Sequence, residues 1–282
     1  MEHNRIINIA FILSSYNRFQ TTLECIRKIY EPKFSADIKT SIYLFDDDSN
    51  DGTPAKVKSK YPRVNLIRGN GSSYWGHGMN YAWLEASKKD YDYYIWINDD
   101  TLLFDNWETL VFSAIQSSNS DETIFVGTTE SNNSKTLTYG GRKSIKDKII
   151  NPNGMYIDCK IINGNFVIIS QKIFIKIGCI SWPYKHSLGD IDYGLRASKA
   201  GFKIKLLPEI IGYCENHIED KIDFSSLNLF RRLKKLNSIK NVPFYPYLRF
   251  NFIHFGVLRS LLFAFTYLLL IIFPSIYYKL KK

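Results

Sequence analysis

The segment Tyr91–Thr101 constrains the fold more than any other stretch of the chain. Tyr93-Tyr94-Ile95-Trp96-Ile97 is an unbroken aromatic and β-branched run, and Asn98-Asp99-Asp100 follows at once. Such a run reads as a buried strand. In an open α/β sheet, ligands bind in the crevice outside the carboxyl ends of the strands. Hard oxygen donors at that end suit Mg2+ or Mn2+, which commonly bridge carboxylates to phosphates. The same residues also serve as an ordinary turn and helix cap, because Asp and Asn are the commonest turn residues.

The rest of the chain repeats the pattern. Ile6–Leu13 reads as a first strand running into the polar loop Ser14-Ser15-Tyr16-Asn17-Arg18. Thr21–Tyr30 has helical spacing through Leu23, Ile26 and Ile29, and Pro32 stops it. Ser41–Phe45, a second strand, ends in Asp46-Asp47-Asp48-Ser49-Asn50-Asp51-Gly52-Thr53. A short strand over Val64–Ile67 leads to a glycine-rich loop from Gly69 to Asn80, which feeds a helix to about Ser87. Beyond the central strand we expect a helix to about Ser117, a strand at Thr123–Val126 and a polar hairpin within Ser131–Asn153. A strand at Phe166–Ile169 and a helix over Gln171–Ile177 follow. A further helix is capped by Asp190 or its neighbour and stopped by Gly201, before strands at Phe202–Leu207 and Ile210–Cys214. Strands alternating with helices imply an α/β fold with a largely parallel sheet. A solvated acidic face would account for the composition, but not for acids placed at the ends of apolar strands.

Charge divides the chain in two. The formal net charge is +10, yet all 27 Asp and Glu residues lie at or before Asp223. Ten basic residues and no acidic one follow it, from Arg231 to Lys282. The body is therefore neutral, which argues against a nucleic-acid-binding domain and for a tail that meets an anionic surface. Ser260–Tyr278 contains no charge and, as a helix, would be about 28 Å long, close to the thickness of a bilayer core. Pro274 would kink it. A full span, an in-plane or re-entrant anchor, and a buried core helix all fit that length. We therefore expect two regions, residues 1–223 and residues 224–282. The four cysteines, Cys25, Cys159, Cys179 and Cys214, show no zinc or redox spacing and suit a reducing compartment. The interrupted run Ile6–Leu13 is too short for a secretory signal.

Taken together, Ser14–Arg18, Asp46–Thr53, Asn98-Asp99-Asp100 and Gly189-Asp190-Ile191-Asp192 with Arg196 resemble family 2 glycosyltransferases of the GT-A fold. Within that family the likeness is to the rhamnosyltransferase-like branch of bacterial surface-polysaccharide synthesis. The resemblance runs from about Ile6 to His217. It implies a mixed, mostly parallel Rossmann-like sheet flanked by helices, and an inverting transfer from a nucleotide-diphosphate sugar to a glycan or polyprenyl-diphosphate-linked acceptor. Asp46 would bind the nucleotide base, with Ser14, Tyr16 and Arg18 in the same pocket. Asn98 and Asp100 match the outer positions of the family's metal motif, with Asn98 standing where Asp is commonest and Asp99 available to contribute. Mn2+ or Mg2+ is the implied cofactor. Asp190 matches the catalytic base, although Gly189 replaces the Glu often found before it. Asp192 would orient the acceptor, and His217 stands where some members have a metal-binding His. The implied location is the cytoplasmic face of the bacterial inner membrane.

The residue types suit that chemistry. A carboxylate beside a hydroxyl can take its proton as bonding develops. Clustered acids raise one another's pKa, which helps a base work near neutral pH. Trp75, His77 and Asn80 lie in the loop between the base pocket and the metal motif and could meet the donor sugar, while Trp182 could stack on an acceptor. Gly71, Gly76 and Gly78 allow close backbone approach to phosphate or sugar, or simply a packed turn. No dinucleotide fingerprint follows the first strand, and no P-loop is present. Two other functions fit part of the pattern: a sugar nucleotidyltransferase, and a membrane-tethered sugar-nucleotide or glycan-binding protein without catalysis.

Overall fold

The computed structural model describes residues 6–31, 38–216 and 223–281. Pro32 and His217 lie outside these residues. The chain opens with β1 (Ile7–Ser15), α1 (Phe19–Tyr30), β2 (Ile38–Asp46), α2 (Thr53–Lys60), β3 (Asn65–Arg68) and α3 (Tyr74–Ala86). The central strand β4 (Tyr93–Ile97) is followed by β5 (Leu102–Leu103), α4 (Trp107–Gln116), β6 (Thr123–Glu130), β7 (Leu137–Tyr139) and β8 (Ile157–Asp158). Then come β9 (Phe166–Ser170), α5 (Gln171–Ile177), α6 (Gly189–Lys199) and β10 (Lys203–Tyr213). Three further helices close the chain: α7 (Leu229–Leu236), α8 (Phe244–Ile272) and α9 (Pro274–Lys281).

One mixed sheet runs in the order β3-β2-β1-β4-β9-β6-β10-β5, with β7 added to β6 and β8 to β10. β1, β2, β3 and β4 are parallel to one another, and β9 runs antiparallel between β4 and β6. Every residue of β4 is buried. Tyr93, Ile95 and Ile97 face one apolar layer with Phe11, Ile26 and Trp107, whereas Tyr94 and Trp96 face the other with Trp83 and Tyr193. A strand buried on both faces needs no polar alternation, which explains the unbroken apolar run. The two strands expected around Pro208 form a single strand, β10. Its register against β6 shifts between Leu206 and Ile210, and this irregularity absorbs the missing proline N–H.

The C-terminal region is not one straight rod. α8 breaks at Gly256, whose φ of +84° and ψ of −178° are accessible essentially only to glycine. The Phe244 ring lies 5.0 Å from that of Tyr267, and the Tyr247 ring 6.0 Å from that of Phe263. In a straight helix, Phe244 and Tyr267 would stand about 35 Å apart. The two arms therefore fold back as an antiparallel hairpin. The first arm docks on the body: Phe250 meets Tyr184, Lys199 Nζ donates to the Ile253 carbonyl at 2.8 Å, and His254 Nε2 lies 2.8 Å from Asp192 Oδ1. Helix α7 joins the second arm through the buried Arg232 guanidinium, which donates to the carbonyls of Phe224, Leu227 and Ile271.

Candidate active site

A cavity of about 750 Å3 opens at the carboxyl ends of β1, β2 and β4. Its floor is the turn after β4, where Thr101 N donates to the Asn98 carbonyl at 3.1 Å. Asp99 is buried and accepts from Thr22 Oγ1 at 3.0 Å. Burial, together with the charge of neighbouring Asp100, pushes its carboxyl up to about 6. Arg18 leans over both acids, with Nη1 3.3 Å from Asp99 Oδ1 and 2.5 Å from Asp100 Oδ2. Cys214 Sγ approaches Asp100 Oδ1 at 3.4 Å from β10's end. Ser14, Tyr16, Arg18, Asn98, Asp99 and Asp100 thus share one cavity.

Asp190 faces the same cavity from the first turn of α6. Leu188, not Asp190, caps that helix, in a left-handed conformation with φ of +72°. Asp190 Oδ2 accepts from Gly164 N at 3.1 Å and Oδ1 from Ile191 N at 2.8 Å. Desolvation raises its carboxyl above the ordinary value against these backbone donors. Gly164 belongs to the Asn163-Gly164-Asn165 turn that leads into β9, and Asn165 O accepts from Asn98 N at 3.2 Å. The antiparallel insertion of β9 therefore sets the acid from α6 beside the acids from β4.

Trp75 joins this frame. Its Nε1 donates to Asn98 Oδ1 at 2.9 Å, and its ring edge meets Trp96. A Cβ on Gly164 would fall 2.3 Å from Trp75 Cζ2, so only glycine lets the indole lie there. Gly76 and Gly78 serve the protein's own packing. A Cβ on Gly76 would meet the Tyr184 carbonyl at 2.1 Å, and one on Gly78 would meet Ser14 Oγ at 2.2 Å.

Five expected contact residues sit outside this cavity. Asp46 is fully buried, accepting from Ser49 N at 2.9 Å and Arg68 Nη1 at 2.8 Å, while its Oδ2 has no hydrogen-bond partner among the described residues. Its neighbour Asp47 lines the cavity instead and accepts from the N–H groups of Gly71, Ser73 and Tyr74, anchoring the start of α3. Asp192 is buried and bonded to Ser181, Arg196 and His254. Asn80 pairs its side-chain amide with both the N–H and the C=O of Ile180, at 2.9 and 2.8 Å. His77 and Trp182 pack on each other, rings 4.5 Å apart, and His77 lines a second, smaller cavity with Arg68 and Lys185. The sequence carried no signal that assigned Asn163, Gly164, His186 or Lys240 to the main cavity, which they all line. Lys240 comes from the basic tail.

The donor set suits a hard divalent cation. Asp99 and Asp100 offer carboxylate oxygens and Asn98 an amide oxygen, and such ions complete their shell with ligand phosphates and water. No cluster of three or more His, Cys, Asp or Glu side chains is arranged around a metal position among the described residues.

An open sheet with an acidic turn after its central parallel strand, and an antiparallel strand beside it, defines a GT-A-like architecture. The chain belongs to the family described as Glycosyl transferase family 2, whose model matches residues 10–178. Solved structures share the fold at low identity. One is GalNAc-T7 with UDP, GalNAc and Mn2+, at a TM-score of 0.57 and 12% identity over 75% of this chain and 45% of that one. Another is S. aureus TarS 1-349 in complex with UDP-GlcNAc, at 0.54 and 13% over 86% and 70%. A third is the mannosyltransferase PcManGT from Pyrobaculum calidifontis with GDP-Man and Mn2+, at 0.54 and 12% over 98% and 83%. This chain thus spans less than half of the GalNAc-T7 structure. No curated protein matches the sequence.

Proposed function

We propose that the protein is an inverting glycosyltransferase. It moves a sugar from a nucleoside-diphosphate donor, UDP- or dTDP-linked, to a glycan or polyprenyl-diphosphate-linked acceptor. The observation that carries this is the meeting of Asp190 with Asp99 and Asp100 in one cavity. Three structural relatives were solved with a nucleotide or nucleotide sugar, and two of them with Mn2+. Asp190 takes the proton from the acceptor hydroxyl as the new bond forms, and its raised pKa brings it nearer the working pH. Arg18, in the cavity wall, orients the donor diphosphate. Asp100, with Asn98 and Asp99, would hold a divalent cation, which when bound neutralises charge on the departing nucleoside diphosphate.

The pathway is bacterial surface-polysaccharide synthesis, in the rhamnosyltransferase-like branch, at the cytoplasmic face of the inner membrane. Supporting this are the acid-free tail with its ten basic residues and one helix, Phe244–Ile272, long and apolar enough by length and composition to cross a membrane. The test is thermal stabilisation of the purified protein by UDP, dTDP, GDP and CDP, each with and without Mn2+. A binder of the native state raises the unfolding temperature by mass action. A Mn2+-dependent rise with one nucleotide is expected. No rise with any of them would overturn donor use.

A further inference from the structure

The C-terminal hairpin presents a face that water does not suit. Along its second arm, residues 257–272, Leu258, Leu261, Phe265 and Leu268 are 83%, 62%, 63% and 53% exposed. They recur every three or four residues and so form one stripe. The opposite stripe, Ser260, Tyr267 and Ile271, is buried against the first arm and α7. An exposed helix face in a water-soluble protein is polar; here both faces are apolar. Beside it α7 exposes Leu229 and Phe230, with Arg231, Lys234 and Lys235 also exposed. A row of apolar side chains edged by cations, with no acid after Asp223, matches the acyl boundary and anionic headgroups of a bilayer.

We propose that this hairpin lies in the plane of the membrane, in one leaflet of an anionic bilayer, and does not cross it. The inference rests on the membrane location proposed above and adds its geometry. A 29-residue helix would be about 44 Å long and could span. The fold-back at Gly256 divides it, and the second arm alone is about 24 Å long, short of a hydrocarbon core of about 30 Å. The first arm is committed to the catalytic body through His254, Phe250 and Ile253. Layering then runs body, first arm, second arm, lipid, with both chain ends on the same side. Lys240, between α7 and the hairpin, lines the active-site cavity, so the cavity opens beside the membrane surface.

The test uses the full chain with an epitope tag at each end, in sealed cytoplasmic-side-out vesicles treated with protease. Both tags should be lost without detergent. If one tag survives until detergent is added, the segment spans and the in-plane geometry is wrong. If the protein does not sediment with membranes, the membrane location itself is wrong. A second arm uses the purified Leu258→Glu/Phe265→Glu double variant with phosphatidylglycerol vesicles. Both side chains are exposed, so thermal unfolding should match the wild type while vesicle binding falls at least tenfold. Binding equal to wild type would overturn the assigned face.

Discussion

Arg18 Nη1 stands 2.5 Å from Asp100 Oδ2, and both side chains line the cavity. The guanidinium therefore competes for the oxygens a divalent cation would use. Asp99, 3.3 Å from the same nitrogen, shares that charge. Arg18→Ala should bind Mn2+ without nucleotide more tightly than the wild type, by roughly tenfold, the equivalent of about 1.4 kcal/mol of relieved competition. Calorimetric titration with Mn2+ alone measures it. Unchanged or weaker binding would place the metal somewhere other than this acid pair.

Replacing Asp190 with Asn preserves the shape of the side chain and an oxygen for the Gly164 N–H. It removes the proposed base. Turnover should fall about 10²–10⁴-fold while the donor KM stays within a few-fold. Turnover near the wild-type value would show that another group takes the proton.

Asp192 should shape the acid limb of stability. Burial raises its pKa, but hydrogen bonds from His254 and Ser181 and the charge of Arg196 prevail and hold it below the usual range. A folded-state pKa below the unfolded one stabilises fully above about pH 4, and that contribution is lost as pH falls through the folded value. Asp192→Asn should be weaker at neutral pH by roughly 1.5–3 kcal/mol, and flatter in acid. Urea unfolding over a pH series separates the two; parallel curves would acquit Asp192.

The Asn80 amide reproduces one rung of a β-ladder against Ile180. Both Ile180 groups lose their partner in Asn80→Ala, inside a buried contact. We expect a loss of roughly 2–4 kcal/mol in chemical unfolding, since each unsatisfied buried group costs about 1–3 kcal/mol. A loss under about 1 kcal/mol would mean that water replaces the amide.

The sheet was legible because its parallel strands are apolar runs broken by polar loops, and β2 and β4 also run straight into acids. Asp99 and Asp100 stood out that way, whereas Asp190 stood out at the start of a helix and through the family resemblance. Asp46 and Asp47 show the limit: adjacent residues on a strand point to opposite faces, and only the three-dimensional register tells which one meets the cavity. Asp192 and Asn80 looked functional because buried structural polar groups use the same residue types as contact residues. The hairpin was hidden because Gly256 inside an apolar stretch reads as a tolerated helix glycine; its left-handed φ appears only in the fold.

Gly164 gives its N–H to Asp190 and its missing side chain to Trp75, which in turn holds Asn98. In the proposed function, the donor half and the acceptor half of the site would thus share a single peptide unit. Engineering one specificity independently of the other is consequently blocked at this point. On that reading, a library that moves Trp75 will also shift the surroundings of Asp190, and selections for a new acceptor will drag donor preference with them.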